Sequence, residues 1–343
     1  MGRPGPLNLL TDVEGLTVGH AVDARVRTGV TVILPDRRAA CSVDVRGGGS
    51  GTRETDLLRP EAAAQAVDAV CLAGGSAFGL DAAAGMMPWL AKRRRGFEIH
   101  GFTVPIIPAA ILFDLNNGGD KEWGDDPPYR RLGREACEAA RGGRFALGNA
   151  GAGLGATAGR VKGGLGSASW VEADGLVVAA LMVVNAVGSV LAPGSGGFWA
   201  APFEQQAEFG GIPPGPTEPD IPLGIPPESR IGGNTCIGLV ATNASLDKTA
   251  LRQVAAMAHD GLARSVRPIH TPFDGDAIFA LATAAWQDEA ARPLPWLVAR
   301  VGSIAADCVA RAVARGVWEA ETLGHLRSVR ELLPRFERED GHA

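Results

Sequence analysis

Ala69-Val70-Cys71-Leu72-Ala73-Gly74-Gly75-Ser76 is the stretch on which the architecture turns. Its short apolar run, closed by two glycines, reads as a buried strand. A helix over about residues 79–95 is expected to follow. A strand, a glycine turn and a helix make one half of an α/β layer. The basic run Lys92-Arg93-Arg94-Arg95 falls at the end of that helix, where cations complement the macrodipole, and reads as solvated.

Working outward, residues 28–35 form a β-branched strand ended by proline, and Gly47 to Gly51 a flexible turn. Helices are expected over 60–70, 129–141, 247–264 and 292–315. Apolar strands are expected over Val177 to Leu191, over Thr235 to Thr242 and near 277–284. Gly148-Asn149-Ala150-Gly151-Ala152-Gly153 has no strand-to-helix setting and no distal acid, so close backbone packing is expected there rather than a dinucleotide loop. From about Ala192 to Gly233 proline and glycine dominate and the hydrophobic period vanishes. A structureless stretch of that length inside a compact domain is normally functional or disordered.

The 343 residues are 46% hydrophobic and 21% charged, with 47 glycines and a single tyrosine, Tyr129. Such small-residue abundance suits layered α/β packing. A net charge of −5 argues against nucleic acid as a partner. Five scattered cysteines without a CxxC suggest neither a disulfide framework nor a zinc site, and no cofactor or metal is expected. With no apolar run of about 18 residues, no membrane partner is expected, and a cytoplasmic protein is the default.

Asn234-Thr235 is the candidate reactive point. A threonine hydroxyl is a weak nucleophile without a base beside it, and an N-terminal threonine carries its own. Its α-amino group has an unperturbed pKa of about 7.7–8.0. An internal threonine gains that amine only if the bond before it is cut. Gly232-Gly233-Asn234 after the Pro/Gly stretch, with Thr235 opening an apolar strand, offers a mobile approach, small neighbours and a rigid mount.

Seven ordered segments then carry a resemblance. They are Leu16 to His20, Cys71 to Ala82, Pro105 to Asp114, Gly148 to Gly153, Lys162 to Gly166, Asn234 to Ile237 and His270 to Asp276. Over roughly residues 10–320 the chain resembles the P1 (DmpA-type, S58) peptidases, which include β-aminopeptidases, D- and L-aminopeptidases and nylon oligomer hydrolases. The resemblance implies one α/β domain, a four-layer αββα sandwich of Ntn-hydrolase-like layout. It also implies self-cleavage into 1–234 and 235–343, Thr235 as nucleophile, a small amide or peptide substrate, and a homo-oligomer, often a tetramer of processed heterodimers. The other reading is a non-catalytic member of the fold that binds small peptides unprocessed.

Further residues gain roles through the same resemblance. Asn185, a polar residue in an apolar run, either satisfies neighbouring backbone or donates to an oxyanion, and the family favours the oxyanion. Lys162 by itself reads as a surface lysine; the family places a lysine here near the nucleophile. Arg160, two residues earlier, is expected on the same strand face and is assigned to substrate binding with Phe113. Phe113 stands where nylon hydrolases carry a tyrosine, which bears on activity towards nylon oligomers. Asp274 and Asp276 could form a mere turn, and the Asp-x-Asp-x-Asp-Gly pattern of a calcium loop is absent. In the nylon-hydrolase-like members the paired aspartates bond the nucleophile's hydroxyl and amine. His259 and His270 have no metal spacing and read as structural, and Ser76 lacks the Gly-x-Ser-x-Gly elbow.

Overall fold

Residues 2–193, 197–213, 225, 230, 233–288 and 290–333 are described by a computed structural model. Its strands are β1 (Leu16–Asp23), β2 (Thr28–Pro35), β3 (Ala40–Val45), β4 (Thr52–Arg53), β5 (Val70–Ala73), β6 (Phe97–Ile99) and β7 (Phe102–Val104). They continue as β8 (Ala109–Ile111), β9 (Thr157–Ala158), β10 (Val161–Lys162), β11 (Gly164–Val171), β12 (Val177–Val184), β13 (Ile237–Ala244) and β14 (Ala277–Trp286). Four helices accompany them: α1 (Asp81–Ala91), α2 (Tyr129–Ala139), α3 (Lys248–Ser265) and α4 (Leu294–Trp318).

Two five-stranded sheets, ordered β1-β2-β5-β8-β4 and β11-β12-β13-β14-β3, form the centre. Pairing is antiparallel except for β5 with β8 and β13 with β14. Alternation along the strands stacks four layers. In β12, Ala179, Leu181 and Val183 face the other sheet, while Val178, Ala180 and Met182 face α3 and α4. In β2, Ile33 faces between the sheets, while Val30, Val32 and Leu34 face α1 and α2. Strands covered on both faces become almost wholly apolar, which is why these runs carry no polar alternation. The αββα sandwich is the observed architecture.

Helix α4 rests on β11 where glycines meet. A Cβ on Gly166 would fall on the Ala312 carbonyl oxygen and the Gly316 nitrogen of α4. Backbone cannot yield as a side chain can, so Gly166→Ala is expected to cost about 3 kcal/mol, read as a lowered midpoint in thermal unfolding.

Three expectations are corrected. Residues 60–70 are not helical: the Lys248 ammonium, reaching from α3, donates to the carbonyls of Arg59, Ala62 and Ala64 at 2.7–2.8 Å. Val67 meanwhile bonds Ala39 in both directions, so these groups are not available for a helical ladder. The strand expected to reach Leu191 stops at Val184, where Asn185 turns its backbone towards another segment. The strand expected from Thr235 begins at Ile237, so Thr235 lies just before it.

Of the Pro/Gly-rich stretch 192–233, residues 194–196, 214–224, 226–229 and 231–232 lie outside the described residues. The described part packs on α4: Phe198 stacks edge-on with Phe209, centroids 5.5 Å apart, and the Glu208 carboxylate meets Arg311 at 2.6 Å.

Candidate active site

The N-terminal ends of β13 and β14 lie side by side because these strands run parallel, Ile237 opposite Ala277. That places the segments before them, Asn234-Thr235-Cys236 and Asp274-Gly275-Asp276, against each other. The Gly275 N–H donates to the Asn234 carbonyl at 3.1 Å, and the Ala277 N–H to the Cys236 carbonyl at 3.1 Å. Thr235 sits between, 1% exposed. Its N–H donates to the Asn185 carbonyl at 2.7 Å, and its hydroxyl to the Asn234 carbonyl oxygen at 2.5 Å.

Asn185 follows the end of β12 and is fully buried. Its Oδ1 accepts from the Thr157 N–H at 2.9 Å and the Thr157 hydroxyl at 3.2 Å. Its Nδ2 donates to the Phe113 carbonyl at 3.0 Å, which uses one of the two amide protons. Thr157 pairs with Lys162 across the β9–β10 hairpin. Lys162 is not a surface residue: it is 0% exposed, and its ammonium donates to the carbonyls of Gly163 (2.7 Å) and Gly153 (3.0 Å). Burial pulls its pKa down to about 7, against an opposing pull from the Asp114 carboxylate.

Asp274 and Asp276 are both fully buried beside Thr235, but they do not reach its hydroxyl or its nitrogen. Asp274 accepts from the Thr271 hydroxyl (2.7 Å), the Thr271 N–H (2.9 Å) and the Val187 N–H (3.4 Å). Asp276 accepts from the Cys236 N–H and from the His270 ring, both at 2.7 Å. In the continuous chain, then, the bonds expected between these carboxylates and a free Thr235 are not made. In the continuous chain the Thr235 nitrogen is an amide with one proton, and Asn185 takes it. Burial and the neighbouring Asp276 raise the Asp274 carboxyl above its usual range.

Arg160 is corrected too. It stands exposed in the turn between β9 and β10, beside Gly159 at φ 57°, so it does not share a strand face with buried Lys162. Phe113 is half-buried and lines a cleft of about 700 Å³ together with Ser50, Ser76, Asn117, Thr157 and Asn234. Asn234 thus faces the cleft while Thr235 lies behind it.

Asp114 escaped the sequence reading. It is buried, accepts from the Thr28 hydroxyl (2.7 Å) and the Gly75 N–H (2.8 Å), and burial raises its pKa to about 6. The signal was available: like Asn185, it is a polar residue closing an apolar run. Thr157 carried no comparable mark.

These segments coincide with a known family. The model of peptidase family S58 matches residues 8–329. An uncharacterized aminopeptidase of Mycobacterium tuberculosis is 44% identical, covering 96% of this chain and 98% of its own. A 6-aminohexanoate-oligomer endohydrolase of a Kocuria species is 32% identical, covering 81% and 76%. Among solved structures, the L-aminopeptidase D-Ala-esterase/amidase of Ochrobactrum anthropi, described as a variant of the Ntn hydrolase fold, superposes with a TM-score of 0.72 at 21% identity, covering 99% and 96%. A Burkholderia β-aminopeptidase does so at 0.69 and 20%, covering 100% and 97%. Fold and relatives together define an amide-bond hydrolase of Ntn-type layout. The chain belongs to peptidase family S58.

Proposed function

We propose that this chain is an autoprocessing N-terminal threonine amidohydrolase, severed between Asn234 and Thr235, that cleaves amide bonds of small peptides, β-amino amides or 6-aminohexanoate oligomers. The observation that carries the reading is the placement of the two residues. Asn234 faces the cleft, and Thr235 is 1% exposed behind it with its hydroxyl against the Asn234 carbonyl. Severance would both free the amine and uncover the hydroxyl.

In the first reaction Thr235 Oγ adds to the Asn234 carbonyl carbon, the C–N bond breaks, and the nitrogen leaves as an amine carrying the hydroxyl proton. Water then hydrolyses the ester, giving the Asn234 carboxylate and a free Thr235. In turnover the amine takes the hydroxyl proton and Oγ attacks the substrate amide. The second Asn185 amide proton and nearby backbone N–H groups hold the oxyanion. The proton passes to the departing amine, and water releases the acyl group. Lys162 tunes charge around the amine, while Asp274 and Asp276 brace the segments on either side of residue 235.

The cleft lining of hydroxyls, side-chain amides and Phe113 suits a small, extended amide. The working form is a homo-oligomer of severed pairs. Phe97, Ile99, Phe102 and Val104 stand exposed on one face of the β6–β7 hairpin, an apolar surface of the kind that oligomers cover.

The test is a panel of β-alanyl, D-alanyl and L-alanyl anilides and 6-aminohexanoate oligomers. Hydrolysis of at least one by severed protein is expected. An intact chain that binds panel members without hydrolysing them would establish a binding protein instead.

A further inference from the structure

His270, partly buried, and His259, fully buried, form a pair next to the reactive segment. The rings meet edge-on with centroids 4.8 Å apart. His259, on α3, points Nε2 at the Asp44 carbonyl, 3.1 Å away. A carbonyl only accepts, so this nitrogen carries the proton. Burial lowers the His259 pKa to about 4, so the ring stays neutral near pH 7. His270 points Nδ1 at Asp276 Oδ2, 2.7 Å away, and its own N–H adds a second contact to the same oxygen at 3.3 Å. The other oxygen of Asp276 takes the N–H of Cys236, the residue after Thr235. A line of contacts thus runs from α3 through two imidazoles and one carboxylate to the nucleophile's own peptide unit.

The backbone of His270 marks the same point. It lies at φ 58°, in the left-handed region, which is uncommon for residues other than glycine although asparagine, aspartate and histidine enter it more readily than most. Such a conformation persists only where its surroundings over-determine it, and it concentrates at functional sites. The ring itself is 18% exposed, so it is neither a solvated loop residue nor a core filler.

We infer that His270 is a positioning residue of the reaction: its Nδ1–H fixes the Asp276 carboxylate, which in turn fixes the Thr235–Cys236 peptide unit. This inference rests on the reading of Thr235 as the nucleophile. His259 holds the His270 ring and does not itself touch Asp276.

The experiment compares His270→Gly and His270→Asn with wild type, as kcat and KM per severed chain on one panel substrate. Glycine accepts φ 58° and leaves a ring-sized gap. Asparagine also tolerates this backbone and keeps an N–H near the Nδ1 position. Because a displacement of about 1 Å near the chemistry can cost ~10²-fold, His270→Gly is expected to lower kcat about 10- to 100-fold with KM nearly unchanged. His270→Asn should recover most of that loss, and millimolar imidazole should partly restore His270→Gly. If the glycine variant does not fold, His270→Asn and His270→Asp have nearly the same shape and differ in the donor, so the aspartate variant alone should be slow. Equal rates for wild type and the glycine variant, or for the asparagine and aspartate variants, would overturn the inference. Wild type without Thr235-dependent hydrolysis would instead remove the reading beneath it.

Discussion

Thr235→Ala is expected to give a single 35.4 kDa chain and to lose amide hydrolysis by about 10⁴-fold or more, the scale seen when a nucleophile is deleted. The substitution removes only the hydroxyl and a methyl group from a buried position, so the fold should persist. The Thr235 N–H to Asn185, the Gly275 N–H to the Asn234 carbonyl and the Cys236 N–H to the Asp276 carboxylate all use only backbone groups of residues 234–236, which alanine preserves. Both reactions fail for one reason. Without Oγ nothing adds to the Asn234 carbonyl, and without severance no amine or open hydroxyl reaches the cleft. Thr235→Ser keeps the hydroxyl and should still be severed. Denaturing gels and rates on one panel substrate check both variants.

Lys162→Met should lower turnover by about 10²–10³-fold, the scale for removing one preorganised electrostatic group, while leaving the chain folded. Its stability should also respond to pH differently from wild type. The folded-state pKa of Lys162, about 7, lies below the usual lysine value of 10.5 because of burial. Between those values the unfolded chain binds the proton more tightly. The resulting penalty on the native state is absent above about pH 10.5, grows as pH falls, and is complete below about pH 7. Methionine carries no such penalty. The stability of the variant relative to wild type should therefore rise by up to ~1.4 kcal/mol per pH unit as pH falls from about 10 towards 7, then level off. Denaturant unfolding at pH 6, 7, 8 and 9 measures this. A constant difference would mean that burial does not lower the Lys162 pKa in the folded chain.

Much of the fold was legible because apolar runs covered on both faces are long and unambiguous: β2 falls where the pattern placed it, α4 and β13 within a few residues, and β12 apart from one displaced end. What failed did so through tertiary contacts invisible to periodicity. The Ala-rich stretch 60–70 has helical composition, but its carbonyls converge on an ammonium that arrives from residue 248. Lys162 and Arg160 looked like neighbours on one strand, but Arg160 lies in the tight turn that begins at Gly159 and Lys162 in the strand after it, one exposed and one buried. The candidate site was legible in its members more than in its bonds. Asn185, Asp274 and Asp276 lie buried against the 234–236 segment and Lys162 is buried beyond Thr157, yet in the continuous chain both aspartates bond other groups than the Thr235 hydroxyl and nitrogen. Their hydrogen bonds depend on Thr271, Val187 and His270, and His270 looked idle because its partner is a carboxylate rather than a metal.

The most direct test of the account is the N-terminal sequence of the smaller fragment from purified wild-type protein. The account predicts Thr-Cys-Ile-Gly-Leu, the residues from 235 onward. A fragment beginning elsewhere, or an uncut chain that hydrolyses the panel at full rate, would contradict it.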